Sequence, residues 1–116
     1  MWKPITPRLH GIIDYTTSAA TATAPLLLNM PPRAKAAAEV LAGGFGGMAA
    51  LTDYPLGVKR VIPFKGHGLA DTLLGLAIPA LPFVLGVGRN KSARNFFLGL
   101  AAVSVVVTAL TDWDQK

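Results

Sequence analysis

The sequence writes one pattern twice. His10, Asp14 and Pro25 recur as His67, Asp71 and Pro82, each 57 positions later, and Leu51-Thr52-Asp53-Tyr54 recurs as Leu110-Thr111-Asp112-Trp113, 59 positions later. Self-similarity at a fixed spacing marks a repeated supersecondary unit, whose copies bury their apolar faces against one another. Between these anchors both halves are apolar and rich in small residues. The repeat therefore also singles out the few polar groups that an otherwise apolar chain keeps in both halves.

Composition says where such a chain resides. Charged residues make up 15% of the 116, hydrophobic ones 52%, and mean hydropathy is +0.46. A soluble domain carries about 25% charged residues, so this chain has too few to cover a water-facing surface. The net charge of +5 does not point to nucleic acid. Its basic residues sit in short clusters flanking apolar runs (Arg33/Lys35, Lys59/Arg60/Lys65, Arg89/Lys91/Arg94), as they do in lipid headgroup regions. With no Cys there is no disulfide framework, thiolate metal site or thiol nucleophile. No cleavable signal peptide is read at Met1-Trp2-Lys3-Pro4, so insertion is expected to use the apolar segments themselves.

Four such segments are predicted as membrane helices, at about 8–28, 34–53, 67–87 and 93–111, each near the roughly 20 residues that a bilayer core requires. The fourth is the most apolar and the third follows. Thr and Ser interrupt the first, while Glu39 and Gly43 to Gly47 weaken the second. None has an apolar stripe opposite a charged one, which disfavours an amphipathic soluble bundle. Pro25 is expected to end the first helix and Pro82 to kink the third. The Gly43/Gly47 pair, preceded by Ala36, Ala37 and Ala38, is expected to bring helix two close to a neighbour, with Ala19, Ala20, Ala22 and Ala24 doing the same on helix one. The predicted fold is all-α: a four-helix transmembrane bundle from a tandem duplication of two-helix hairpins. It forms one membrane domain over 1–116, with repeats at about 8–57 and 65–114.

An up-down-up-down course brings the starts of helices one and three and the ends of two and four to one face. That face collects a candidate polar cluster of His10, Asp14, Asp53, His67, Asp71 and Asp112, with Tyr54, Trp113 and Asp114 nearby. His and Asp four residues apart share a helical face, and buried ionisable groups in a membrane turn inward toward partners. Asp53 and Asp112 follow helix C-termini, where the macrodipole disfavours negative charge, so His10, His67, Lys59, Arg60, Arg8 or free helix-start amides should compensate them. The sequence favours a structural role, with each His–Asp pair clamping helices and Asp53 and Asp112 capping helix starts or accepting from His. The rival is a metal-ion- or proton-handling site. A His/carboxylate set suits a divalent ion, but HxxxD is a weak motif and a third His is lacking, so no metal ligand is assigned. Haem between His10 and His67 is disfavoured because both lie at helix starts, and the expectation is no cofactor.

No catalytic constellation is read. Ser18, Ser92 and Ser104 fall away from the cluster by this topology, and neither GxGxxG nor Walker spacing occurs. Trp2, Tyr15, Tyr54, Trp113, Phe64 and Phe83 are expected to form an interfacial belt rather than a cofactor box. The connector 55–66 is expected to lie along the interface. Both termini should share a side. Lys and Arg number six on the cluster face (Lys3, Arg8, Lys59, Arg60, Lys65, Lys116) and five on the other (Arg33, Lys35, Arg89, Lys91, Arg94), which leaves orientation open.

The order His-Gly-x-x-Asp-Tyr from His10, a later Pro25, Leu-Thr-Asp-Tyr-x-x-Gly from Leu51, and Ile-Pro-x-x-x-His-x-x-x-Asp from Ile62 resembles the SPW-repeat group of small prokaryotic membrane proteins. The likeness covers about 10–112. It departs at the signature tripeptide, where Pro25 has Ala24 and Leu26 as neighbours, and Pro82 has Leu81 and Phe83. The resemblance implies an integral protein of a bacterial or archaeal inner membrane, without a substrate. The expected role is a structural or accessory membrane component of unassigned activity. Its partners would be lipid and, through small-residue faces, further copies or a larger membrane complex, not nucleic acid.

Overall fold

Residues 3–115 of the chain are described by the computed structural model. Among them the regular structure is helical: α1 (Pro7–Leu27), α2 (Pro32–Leu51), α3 (Phe64–Ala77), a 3-10 turn (Ile78–Ala80), α4 (Leu81–Val84) and α5 (Lys91–Leu110). The starts follow local chemistry. The Thr6 hydroxyl accepts from the Leu9 amide at the head of α1, and the Asn90 side chain accepts from the Ala93 amide at the head of α5. Pro31 and Pro63 precede α2 and α3, and Pro32 supplies the fixed φ of a first turn.

Helix α3, the 3-10 turn and α4 continue as one rod of 21 residues, Phe64–Val84, so the chain makes four long helical passes. The break in this rod centres on Pro79, three residues before the Pro82 kink expected from sequence. Pro79 has no amide to bond, and its ring crowds the carbonyl one turn back, which tightens the chain into the 3-10 turn. Pro25 does not end α1 at once. The helix runs two residues further, to Leu27, and the Leu28 amide still reaches the Ala24 carbonyl.

The helix ends are tied together by one arrangement made twice. Thr111, after α5, bridges Ile5, and Thr52, after α2, bridges Ile62, both in parallel sense. The Ile5 amide donates to Leu110 O (3.1 Å) and the Asp112 amide to Ile5 O (2.9 Å). Correspondingly, the Ile62 amide donates to Leu51 O (2.8 Å) and the Asp53 amide to Ile62 O (2.7 Å). These bonds satisfy carbonyls that a helix C-terminus leaves open. They also cross the chain over, setting the start of α1 beside the end of α5 and the start of α3 beside the end of α2. Most of the connector is thereby bonded to the end of α2, with Val58 and Lys59 also donating to Ala50 O.

Two cores flank the middle of the molecule. At the far end, Ala34 and Ala38 of α2 meet Ile78, Ala93, Phe97 and Ala101. At the near end Ala49, Tyr54 and Phe64 pack with Tyr15, Leu56 and Trp113. The close-packed stripe of α2 is Ala34, Ala38, Ala42 and Ala49. The Gly43/Gly47 pair expected there faces outward, with nothing within 4 Å of a Cβ at either position, and Gly46 is the glycine that meets α1, at Ser18. The alanines of α1 likewise give way to Thr21 and Pro25 as its buried residues in that half.

Large apolar side chains cover the outside. Leu26, Val40, Leu76 and Val84 are each more than 70% exposed. Two rods, Phe64–Val84 and Lys91–Leu110, are long and apolar enough to cross a membrane; α1 and α2 have the length but are less apolar.

Candidate metal centre

Four side chains converge where α1 and α3 meet. His10 and Asp14 stand one turn apart on α1, and His67 and Asp71 one turn apart on α3. His10 Nε2 lies 3.2 Å from Asp14 Oδ1 and 3.2 Å from Asp71 Oδ2. His67 Nε2 lies 3.2 Å from Asp14 Oδ2 and 3.2 Å from Asp71 Oδ2. One donor atom from each residue falls within 4.8 Å of all the others. The imidazoles are fully buried, and each carboxylate keeps 15% of its side chain accessible.

The far side of each imidazole fixes its protonation. His10 Nδ1 is 2.8 Å from Thr111 Oγ1, and His67 Nδ1 is 2.7 Å from Thr52 Oγ1. Each threonine hydroxyl already donates its one proton to the carbonyl four residues back, Val107 O or Met48 O. The hydroxyl oxygen can therefore only accept, so Nδ1–H of each imidazole is the donor. Both Nε2 atoms are left facing the two carboxylates. His10 Nε2 lies 3.2 Å from an oxygen of each carboxylate but meets neither in hydrogen-bond geometry.

An aromatic layer seals the near end. The His10 ring lies 5.0 Å from that of Trp113 and 5.7 Å from that of Phe64, and Phe64 and Trp113 sit 4.7 Å apart. Tyr54 is buried and its hydroxyl donates to Asp14 Oδ2 at 3.0 Å. Burial, and then the Asp14 carboxylate, push the Tyr54 hydroxyl far above its ordinary pKa, so it remains a donor throughout the physiological range. These three aromatics pack over the histidines instead of forming the belt expected from sequence; Phe83 is exposed at the other end, and Trp2 lies outside the described residues. Trp113 is held by its indole N–H on Thr108 O, and its ring crosses Gly68 so closely that a Cβ would come within 3.0–3.1 Å. Gly68→Ala gains about 1 kcal/mol of helix propensity but overpacks a pinned ring at about 1–3 kcal/mol. A net loss of about 1 kcal/mol is expected in detergent unfolding, and a stabilised variant would show that the ring yields.

The structure thus brings together four of the six residues of the expected cluster. Asp53 and Asp112 stand outside it: Asp53 is exposed, and Asp112 accepts from the Asp114 amide and the Gln115 side chain. They neither cap a helix nor accept from a histidine, because the extended backbone after α2 and α5 turns them away while turning Thr52 and Thr111 inward. These threonines were the residues to find, and the signal was present, since Leu-Thr-Asp recurs with the threonine as constant as the acid. Ser104 was expected to lie apart, yet it lines a cleft beside Asp14 and Asp71; Ser18 donates to Ala42 O on α2.

Two nitrogens and two carboxylates are a donor set for Zn²⁺ or another first-row divalent ion. Metal–ligand bonds of about 2.0–2.1 Å place tetrahedral ligands roughly 3.3–3.4 Å apart; both imidazole nitrogens lie 3.2 Å from Asp71 Oδ2, each lies 3.2 Å from a different Asp14 oxygen, and one donor from each residue falls within 4.8 Å of the others. A histidine that ligates through Nε2 ordinarily donates its other N–H to a fixed acceptor, which sets tautomer and ring orientation; Thr52 and Thr111 supply that acceptor. Comparison with family models, curated proteins and solved structures finds no match for this chain.

Proposed function

We propose that this chain is a small integral membrane protein that crosses the bilayer four times, as two copies of one helical hairpin, and carries one divalent metal ion between His10, Asp14, His67 and Asp71. The convergence of two buried imidazole nitrogens on two carboxylates, one donor atom from each of the four residues within 4.8 Å of the rest, carries the metal reading. A metal ion takes all four donors at once, whereas His10 Nε2, 3.2 Å from an oxygen of each carboxylate, meets neither in hydrogen-bond geometry. The charges balance, because a divalent cation offsets two carboxylates and leaves the imidazoles neutral, as a buried site in low dielectric requires.

The membrane reading is supported by the two strongly apolar rods, the exposed Leu, Val and Phe side chains, and the low charge content. Asp14 and Asp71 each stand seven residues beyond the first residue of their helix, about 10 Å along its axis, inside the hydrocarbon boundary of a spanning bundle. The likeness to the SPW-repeat group of prokaryotic inner-membrane proteins rests on the motif spacing and agrees with this placement. In this reading the metal joins α1 to α3, adding to the apolar core and the Ile5–Thr111 pairing that also connect the two hairpins.

Elemental analysis tests it. Protein purified from membranes without chelator, or reconstituted with Zn²⁺, Mn²⁺ or Fe²⁺ and desalted, should hold about one metal ion per chain. A chain that stays metal-free under both treatments reduces the cluster to a structural clamp of paired imidazolium and carboxylate groups.

A further inference from the structure

We infer that the metal centre receives, from the bilayer side, the hydroxyl group of a neutral amphiphile, a lipid-soluble phenol or alcohol, through the cleft between α2 and α3. This rests on the metal reading and adds a ligand class to it. The aromatic layer of Tyr54, Phe64 and Trp113 closes the polar end of the centre, and a separate cleft beyond that layer touches none of the four site residues. Two lateral clefts do reach Asp14 and Asp71. One, between α1 and α5, is about 30 Å³ and passes Leu100, Val103 and Val107. The other, between α2 and α3, is about 250 Å³ and passes Leu41, Gly44 and Met48 on its way to His67.

These lining residues occupy matching places, since Leu41, Gly44 and Met48 plus 59 give Leu100, Val103 and Val107. Where the narrow cleft has Val103, the wide one has Gly44, around whose Cβ position nothing lies within 4 Å. The narrow cleft holds no more than a water or two. The wide one approaches the size of a small-molecule site.

Its chemistry selects the occupant. The walls are apolar and open beside Val40, which is 75% exposed on the outside of α2, so the tail belongs to a lipid-soluble molecule. At the inner end stand two carboxylates, whose accessible oxygens call for a donor, and a metal ion, which would take a neutral lone pair as a fifth ligand. A hydroxyl provides both. An anionic headgroup is disfavoured, because two carboxylates already neutralise a divalent cation and a further negative charge would be buried unpaired.

The test uses the full chain in nanodiscs loaded with Co²⁺, whose visible bands report the ligand shell. The probe is 4-hexylphenol, with hexylbenzene and phenol as controls at equal concentration in the lipid phase. The expected result is a saturable band change with 4-hexylphenol, at least tenfold weaker for phenol and absent for hexylbenzene. Gly44→Val, which copies the narrow cleft into open space, should weaken the 4-hexylphenol response at least tenfold. Protein that binds Co²⁺ but shows no response, or responds equally with Gly44→Val, overturns this inference and leaves the metal site standing. Protein that takes up no Co²⁺ overturns the metal reading and this inference with it.

Discussion

His67→Ala is expected to lower bound metal from about one ion per chain to less than a tenth, and to destabilise the bundle by about 3–5 kcal/mol. The reason is what remains. Asp14 and Asp71 stay largely buried, with donor oxygens within 4.8 Å of each other, and have lost the cation and one of their two imidazoles, leaving His10 alone beside both. Breaking a buried charge arrangement by removing one member costs more than the arrangement contributed, because the survivors keep their desolvation penalty without compensation. Elemental analysis and detergent unfolding read the two effects. Adding Asp71→Asn to His67→Ala removes one of the opposed charges and should recover a substantial part of the stability while restoring no metal. If His67→Ala were as stable as the parent, a shared proton or the His10 imidazolium would suffice for the carboxylates, and no metal ion would be needed between them.

Thr52→Val and Thr111→Val should each weaken metal affinity by about 10–100-fold, measured by competition with a chromophoric chelator. Valine keeps the shape of threonine but cannot accept from the imidazole. The His67 or His10 Nδ1–H would then be buried without a partner, at about 1–3 kcal/mol, and the ring would lose the contact that aims Nε2 at the metal. Thr52→Ser and Thr111→Ser retain the hydroxyl and should stay within a few-fold of the parent. The metal reading predicts that the Val and Ser variants separate in metal affinity as well as in stability. Equal affinity for Thr52→Val and the parent would mean that the imidazole is oriented by packing alone.

Much of the frame was legible in the chain. A 57-residue recurrence of His10 and Asp14 with four-residue spacing fixes that each pair lies on one helical face, because helix geometry is local. Apolar runs of bilayer length place four helices to within a few residues, and alternating direction puts both histidines at one end. The third and fourth runs, the most apolar by composition, are also the two rods long and apolar enough to cross a membrane. These are properties of consecutive residues, and they survive without knowledge of what packs on what.

Which polar groups meet was decided by tertiary structure. The sequence offered Asp53 and Asp112 to the histidines on equal terms with Asp14 and Asp71. The choice fell to the extended backbone that pairs Thr52 with Ile62 and Thr111 with Ile5, since side chains alternate sides along an extended segment and adjacent residues point opposite ways. The outward turn of Gly43 and Gly47 was likewise a matter of how α2 is rotated about its axis, which composition leaves free. His10 meets Thr111, 101 positions farther along the chain, and Asp71 meets His10 from the other hairpin. By itself the sequence determined the recurring polar anchors, the helices and the end where the ionisable groups collect. Only the packed molecule decided that two imidazoles, locked by threonines, direct their free nitrogens at a pair of carboxylates, because that depends on distances between helices rather than on spacing within one.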